Sequence, residues 1–507
     1  MIPDNSSSKS PVARINEVMI RHKLVSTLVI GVLLAGLAIL AFDQQQPAFD
    51  SRKGASGVLL TQAELPQCKR SKYPDLSCFG EPKSLCNKDI EMARTAWKFF
   101  ENNYHPETGL VNAADKFPSA SMWDIGSALA ATIAAEDIGL ITEKEFDDRI
   151  IAMLKTLSTM ELFNGEAPNK AYSTVTGMMV DYNNNPTPKG IGVSTLDLAR
   201  LGSWLNILSC VHPKYKKMSE AVMLRWKYCR LIKNGQMYGL TLDRVGDQIN
   251  PVQEGRLGYE QYSGKIYKML GFDQHVSATY NNEFATKTQI YDLPIAYDTR
   301  DPRQLGAYNY VVTESYVLDA LENGLDAENT PLFDNIYEVQ KRRWQDTGIV
   351  TAVSEDNIDR PPHFIYNTIF VSGSPWLTIT DTGQNMNQLK NVSVKAAMTL
   401  ALFKPDDPYS DVLFDFVHNA YNPDRGWYSG IYEKGLGYNT IITSNTNGII
   451  LSMMLYKKYG SLNKICSSCD LGIRFSTKTL NDSEYEGHCL PGQSCTPVCP
   501  IPAAKTP

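Results

Sequence analysis

Signatures of metal and nucleotide chemistry are missing from this 507-residue chain. Its seven histidines (His22, His105, His212, His275, His363, His418 and His488) are scattered, and none stands at metal-ligand spacing from another. The motifs H-E-x-x-H, P-loop, G-x-S-x-G and G-x-G-x-x-G do not occur. That excludes the readily recognised zinc proteases, nucleotide enzymes and nucleophile-elbow hydrolases. Positive charge is not in excess either: 49 basic residues against 55 acidic give a net charge of −6. A general nucleic-acid binder needs a basic face to release counterions from phosphates, so no nucleic-acid partner is expected. Extremes of composition are absent too. With 43% hydrophobic and 21% charged residues, 34 Gly and 27 Pro, the disordered, collagen-like and low-complexity classes are out. The 26 Tyr, 17 Phe and 7 Trp serve core packing first and flat ligands second.

One long apolar run interrupts this ordinary pattern. Leu24 to Phe42 is 19 residues without a charge, about the length that crosses ~30 Å of hydrocarbon. Lys9, Arg14, Arg21 and Lys23 precede it against only Asp4 and Glu17, and Asp43-Gln44-Gln45-Gln46-Pro47 follows. The positive side stays cytoplasmic, which exports everything after Asp43. A cleaved signal peptide is the alternative, because Ala38 to Ala41 offers small residues near a cut. The run, however, exceeds a normal h-region and its leader is long. The expectation is one retained anchor in the cell inner membrane, touching the lipid bilayer through residues 24–42, with the body in the periplasm.

Cysteine usage agrees with export. All ten (Cys68, Cys78, Cys86, Cys210, Cys229, Cys466, Cys469, Cys489, Cys495 and Cys499) lie beyond the apolar run, and an even number suits an oxidising compartment. The C-terminal group lacks the second C-x-x-C of a zinc ribbon and any His pair, so disulfides are expected there and no metal. One bond could tie the tail to Cys68, Cys78 or Cys86.

The chain divides into a leader (1–23), the anchor (24–42), a stalk and Cys-bearing strap (43–87), a body (88–460) and a Cys-rich tail (461–507). Helical periodicity dominates the body. Ala93, Ala96, Trp97, Phe100 and Tyr104 give one apolar face. Similar faces recur over Ser127–Leu140, Glu145–Leu157, Leu196–Cys210, Ser219–Leu231, Gly258–Leu270, Ser315–Leu325, Val392–Phe403, Ser410–Tyr421 and Asn447–Tyr459. Strands are scarce, with Met237–Leu242 and Phe364–Val371 the better candidates. Tyr104-His105-Pro106-Glu107-Thr108-Gly109 echoes Tyr421-Asn422-Pro423-Asp424-Arg425-Gly426, each following an apolar-faced helix. Helical hairpins in series fit a closed α/α toroid better than an open solenoid, because no fixed 34- or 40-residue period appears.

With the common motifs excluded, what remains is carboxylates beside aromatics at loop–helix junctions: Trp123-Asp124, the stretch Glu254 to Tyr262, and Gly426 to Glu433. A glycosidase needs two carboxyls across the scissile bond, and flat rings to carry sugar faces. Each residue has a plainer reading. Asp124 could be a helix N-terminal charge, Glu254 and Arg256 could simply pair, and Tyr259 and Tyr262 could be core. Asp181 and Asp197 are explained by helix caps.

The stretches SMWDIGSALAA (121–131), GVSTLDLARLGSWL (192–205), EGRLGYEQYSGK (254–265) and GWYSGIYEKGLGYNTIITSNTNGIIL (426–451) resemble, in order, the signature blocks of the bacterial domain-of-unknown-function family numbered 3131. The likeness covers roughly 88–460 and departs mildly at Ser263 and Ser429. It implies a glucoamylase-like (α/α)6 toroid and a glycan-active protein of the cell envelope. The expected fold class is therefore mainly α: an (α/α)6 toroid with one N-terminal transmembrane helix and a Cys-rich tail.

The expected activity is glycoside hydrolysis of an oligo- or polysaccharide at the toroid mouth. Glu254 or Glu260 would be the general acid and Asp124 the water-activating carboxylate. Trp123, Trp376, Trp427 and Tyr428 would stack on sugars, Arg256 would hold a hydroxyl or carboxylate, and Tyr259, Tyr262 and Glu433 would line the site. No cofactor is implied. A non-catalytic subunit of an envelope polysaccharide system needs the rings but no carboxylate pair. A polysaccharide lyase would need a base such as Tyr259 beside Arg256.

Overall fold

The computed structural model describes residues 83–243, 248–254, 256–300 and 309–475. The apolar run 24–42, the stalk, Cys68, Cys78 and the tail cysteines Cys489, Cys495 and Cys499 lie outside them. No helix among the described residues is long and apolar enough to cross a membrane.

Twelve helices are described: α1 (Asn87–Asn102), α2 (Met122–Ile138), α3 (Glu143–Thr159), α4 (Thr195–Val211), α5 (Lys216–Leu224), α6 (Tyr259–Leu270), α7 (Thr313–Leu318), α8 (Thr330–Thr347), α9 (Val394–Phe403), α10 (Pro408–Val417), α11 (Ser444–Tyr459) and α12 (Leu462–Ser468). They sort by burial. Helices α2, α4, α6, α7, α9 and α11 are buried nearly all round; for α2, α4 and α9 the sequence is apolar on nearly every side, as an inside helix is. Each packs on the next in the order α2, α4, α6, α7, α9, α11, and α11 returns to α2. The result is a closed ring of six. Helices α1, α3, α5, α8 and α10 bury one stripe each and form an outer layer. Between α6 and α7 the described residues form an antiparallel hairpin, Ala285–Ile290 with Leu293–Asp298. It is held to α8 by the Asn335 amide on the Pro294 carbonyl (3.1 Å) and Arg342 on that of Tyr291 (2.6 Å). The architecture is the expected mainly-α toroid.

The inner helices run parallel. Gly126 of α2 abuts Arg200 of α4, Gly258 before α6 abuts Ser315 of α7, and Gly448 of α11 abuts Ser127 of α2, all near helix starts. Lys458 and Asp137 pair at the opposite end, in the last turns of α11 and α2. Short strands approach the inner-helix starts, among them Ser119–Ser121 before α2, Gly192–Val193 before α4, Tyr310–Val311 before α7 and Asn391–Ser393 before α9. They are paired in register by neighbouring strands, for example Ser119 with Ser173 and Asn391 with Tyr432.

Three expectations need correction. Strands are more numerous than expected, because two or three residues suffice to pin each loop to its neighbour. Helix α8 was not expected at all, although Leu332, Phe333, Ile336, Tyr337 and Val339 stand at helical spacing along its buried stripe, which Gln340 and Arg343 complete. Cys86 is a free thiol, so it is not a strap cysteine that the tail bonds; Cys466 of α12, at the start of the tail, is bonded to Cys210 of α4, and Cys469 is disulfide-bonded as well.

The α2–α11 seam is the tightest joint of the ring. A methyl at Gly448 would lie 2.8 Å from the Ser127 carbonyl oxygen, a backbone atom that cannot rotate aside. Gly448→Ala should therefore force the helices apart and lower stability by about 1–3 kcal/mol, read as a lower denaturant midpoint. An unchanged midpoint would show slack at the seam.

Candidate functional site

The inner-helix starts converge on one mouth, and their caps put acids there. Ser121 caps α2: its hydroxyl accepts from the Asp124 N–H (3.3 Å), while its own N–H and O–H both donate to Asp124 Oδ2 (3.0 and 2.8 Å). Ser194 and Asp197 open α4 in a similar way, with the Ser194 hydroxyl donating to Asp197 Oδ1 at 3.0 Å. Such boxes satisfy N–H groups that a helix start leaves unpaired. Both aspartates remain partly exposed, so their carboxyls still face the cleft.

A chain of polar contacts crosses the mouth. The Trp123 indole N–H donates to Asn445 Oδ1 of α11 (3.1 Å), and the Asn445 amide donates to Glu314 Oε1 of α7 (2.8 Å). Glu314 Oε2 pairs with Lys395 of α9 at 2.6 Å. Lys395 also pairs with Asp356 (3.2 Å) and donates to the Glu355 carbonyl (2.6 Å). From below, Arg200 lies 4.8 Å from the Trp123 ring. Beside it, Tyr259 and Tyr262 meet Trp123 edge-on at 5.6 and 5.9 Å.

On the far side of Tyr259 stands Glu355, partly exposed, at the start of the strand Glu355–Asn357. The hydroxyls of Tyr259 and Tyr310 face it. Its Oε2 accepts no hydrogen bond from any described residue. Arg256 lies 5.3 Å from the Tyr310 ring, which in turn packs on Tyr366 at 4.2 Å.

Burial raises the carboxyl pKa values here, by different balances. For Asp124, burial pushes up while the Ser121 bonds and Arg200 pull back. For Glu355, burial is reinforced by the adjacent Glu314 charge and opposed by Lys395. Burial and the neighbouring Glu254 bring Asp197 up to about 7. Asp356 also reaches about 7, through burial that Lys395 only partly offsets. Burial, with Glu314 and Glu355 close by, holds the Tyr259 hydroxyl well above its usual value.

The residues singled out from sequence divide sharply. Trp123, Asp124, Arg256 and Tyr259 are at the mouth. Glu254 lies at its edge, buried, with Oε2 accepting from the Leu196 N–H (2.8 Å), so it caps α4 from outside that helix. Tyr262 is core, its hydroxyl donating to Glu322 at 2.6 Å. Glu260 points away from the ring axis into an ion pair with Arg300 (2.5 Å), itself shared with Asp298. Glu433 is held by both guanidinium nitrogens of Arg343 (2.7 and 2.9 Å), and the same Arg343 lies 5.1 Å from the Trp376 ring. Trp427 is 2% exposed, with its indole N–H on the Met92 carbonyl (3.1 Å), and it packs between α1 and the outer strands. Tyr428 is partly exposed against Tyr438.

Glu314, Glu355, Asp356, Lys395, Tyr310 and Asn445 were missed. Their acids have no aromatic neighbour in sequence, and only the Glu355-Asp356 doublet ahead of Lys395 hinted at them. Among the described residues no group of His, Cys, Asp or Glu is arranged to hold a metal ion.

Two outcomes follow. Trp427→Ala should act as a core deletion, lowering stability by about 3–5 kcal/mol in chemical denaturation; weakened ligand binding at unchanged stability would contradict that placement. Asp197, at about 7 when folded against about 3.9 unfolded, keeps a proton that the unfolded chain releases. The Asp197 contribution to stability therefore falls as pH rises from about 4 to about 7. In Asp197→Asn that fall should be shallower, measured as denaturant midpoint against pH.

Among curated protein sequences none matches the chain significantly. Among solved structures, a candidate glucoamylase of Bacteroides caccae superposes with a TM-score of 0.54 at 14% identity, over 75% of this chain and 95% of that one. An endo-beta-1,2-glucanase of Chitinophaga pinensis, in complex with sophorotriose and glucose, gives 0.53 at 13%, over 75% and 94%. The endo-beta-1,2-glucanase of Talaromyces funiculosus with sophorose gives 0.51 at 12%, over 75% and 84%. At these identities the likeness is one of fold. The sequence itself matches a family model over residues 91–460, and the chain belongs to that family, the proteins of unknown function DUF3131.

Proposed function

We propose that the mouth hydrolyses a glycosidic bond of an oligo- or polysaccharide, with Glu355 as proton donor and Asp124 as the carboxylate that activates water. The observation that carries this reading is the Trp123–Tyr259 contact. It sets an acid beside each ring: Asp124 follows Trp123 in the chain, and Glu355 faces the Tyr259 hydroxyl. Burial raises both carboxyls and Glu314 acts on each, but what opposes the rise differs: Asp124 keeps two Ser121 bonds and Arg200 to favour its charged form, whereas Glu355 is opposed first by Lys395. Burial and Glu314 favour the protonated form of Glu355, which can give its proton to the leaving oxygen while Asp124 takes one from water. Trp123 and Tyr259 offer the apolar edge against which a sugar face can rest.

The fold shared with the two endo-beta-1,2-glucanases supports a glucan-like substrate. A lyase is disfavoured because its base must be easily deprotonated, and Tyr259 is pushed the other way. The basic leader, the apolar run 24–42 and the Cys210–Cys466 bond support a membrane-anchored body outside the cytoplasm.

Glu355→Gln and Asp124→Asn should each lower the release of reducing ends from a panel of neutral glucans, β-1,2-glucan included, by about 10²–10⁴-fold. Affinity for the same glucans should persist, because the rings are untouched. A wild-type chain that binds glucans and releases no reducing ends would establish a binding subunit in place of a hydrolase. Full activity in both variants would move the chemistry to other acids.

A further inference from the structure

Among the described residues Tyr182 is the most exposed of the large hydrophobic side chains, at 66%. It lies within electrostatic reach of Asp197 at the start of α4, Glu254 and Arg256 before α6, and Tyr366 of the strand Phe364–Asn367. These residues come from three separate segments that meet at the mouth. The exposed ring therefore stands beside the mouth.

The loop that carries Tyr182 is built to hold it still. Asp181 Oδ1 accepts from the N–H groups of Asn183 and Asn185 (both 2.9 Å), and Oδ2 accepts from the Asn185 amide (3.0 Å). The Asp181 N–H donates to the Asn185 carbonyl at 2.9 Å, closing the turn, and Asn184 takes the left-handed conformation, φ 63°, that the turn needs. Val180 bridges to Pro186 and donates to the Ala171 carbonyl (3.1 Å). Ala171 lies in the strand paired with Ser119–Ser121, which leads straight into Trp123 and Asp124. A short turn held by the Asp181 carboxylate thus projects one aromatic ring beside the mouth. An apolar ring in water is uphill in free energy, and placing it rigidly favours a ligand whose own apolar face can cover it.

We infer that Tyr182 is a stacking platform for one pyranose unit of an uncharged oligosaccharide, next to the unit cleaved between Asp124 and Glu355. The C–H face of the sugar lies on the ring, and its hydroxyls reach Asp197, Arg256 and Tyr366. Asp197 and Glu254 at this position disfavour a sugar that carries its own carboxylate. The inference rests on the hydrolase reading for the identity of the neighbouring unit, and on the cleft geometry for the platform itself.

The test uses the full chain in detergent, in the Glu355→Gln background so that ligand is not consumed. Binding of di- to hexasaccharides with β-1,2, β-1,3, β-1,4 or α-1,4 glucose linkages is measured by calorimetry. Tyr182→Ala should weaken the best-bound oligosaccharide by about 5- to 20-fold, with the loss growing from disaccharide to tetrasaccharide, and Tyr182→Phe should retain affinity. Equal affinity in the Ala variant, equal losses in Ala and Phe, or no binding of any oligosaccharide to the Glu355→Gln chain would each overturn the platform. If binding depends on the Tyr182 ring while the wild-type chain releases no reducing ends, the platform stands and the hydrolase reading falls.

Discussion

Closing six parallel helices into a ring brings six helix starts to one end, and the rest of the molecule answers to that constraint. Each start leaves N–H groups without partners and carries the positive end of a dipole. Asp124 and Asp197 supply negative charge from within their own first turns, and Glu254 caps α4 from outside it. The acid-rich mouth is thus first a solution to helix termination. This explains why an ordinary capping pattern, Ser-x-x-Asp, recurs at α2 and α4 where a catalytic motif might otherwise be sought. It also says which acid to weigh most: Glu355 caps no helix, and its Oε2 is left unbonded by the described residues.

Below the mouth the ring axis is filled, not open. Arg200 and Glu322 pair at 3.2 Å with almost no exposure, and Glu322 also receives Ser203, Trp204 and Tyr262. Desolvating such a pair is expensive, and only further hydrogen bonds make it tolerable. Here those bonds come from α4 and α6, while Glu322 sits in the π-helical turn Asp319–Asn323 that ends α7. One carboxylate therefore joins three inner helices, and the guanidinium it holds supports Trp123. The floor of the cleft is fixed by this network.

The fold was largely legible in the sequence because most of its helices carry apolar residues at helical spacing, all round in α2, α4 and α9 and along one face in α6. Leu196–Cys210 and Gly258–Leu270 lie almost where apolar spacing puts them. Helix α8 carries the same signal in Leu332, Phe333, Ile336, Tyr337 and Val339, and was missed all the same. The site was half legible. Trp123, Asp124, Arg256 and Tyr259 could be found because acid, cation and ring are neighbours in the chain. Glu314, Glu355 and Lys395 could not, because what relates them is ring closure: they are 40 to 81 positions apart in sequence and meet only when α7 and α9 pack together. Glu260 shows the converse error. It follows Tyr259 directly, but one residue along a helix is a turn of about 100°, which carries its carboxylate off the axis and into Arg300.

The same geometry separates a capping acid from a reacting one. A capping carboxylate is stabilised in its charged form by N–H and O–H donors and the local dipole, which suits a base that must be ionised when water arrives. A proton donor needs the opposite surroundings, few donors and a nearby negative charge, as Glu355 has in Glu314. Lys395 keeps that arrangement from being too unfavourable: it pairs with Glu314 and Asp356, donates to the Glu355 carbonyl, and its charge partly opposes the rise that burial and Glu314 give the Glu355 carboxyl. The cation thus pairs with the two deeper acids and only tempers the partly exposed one.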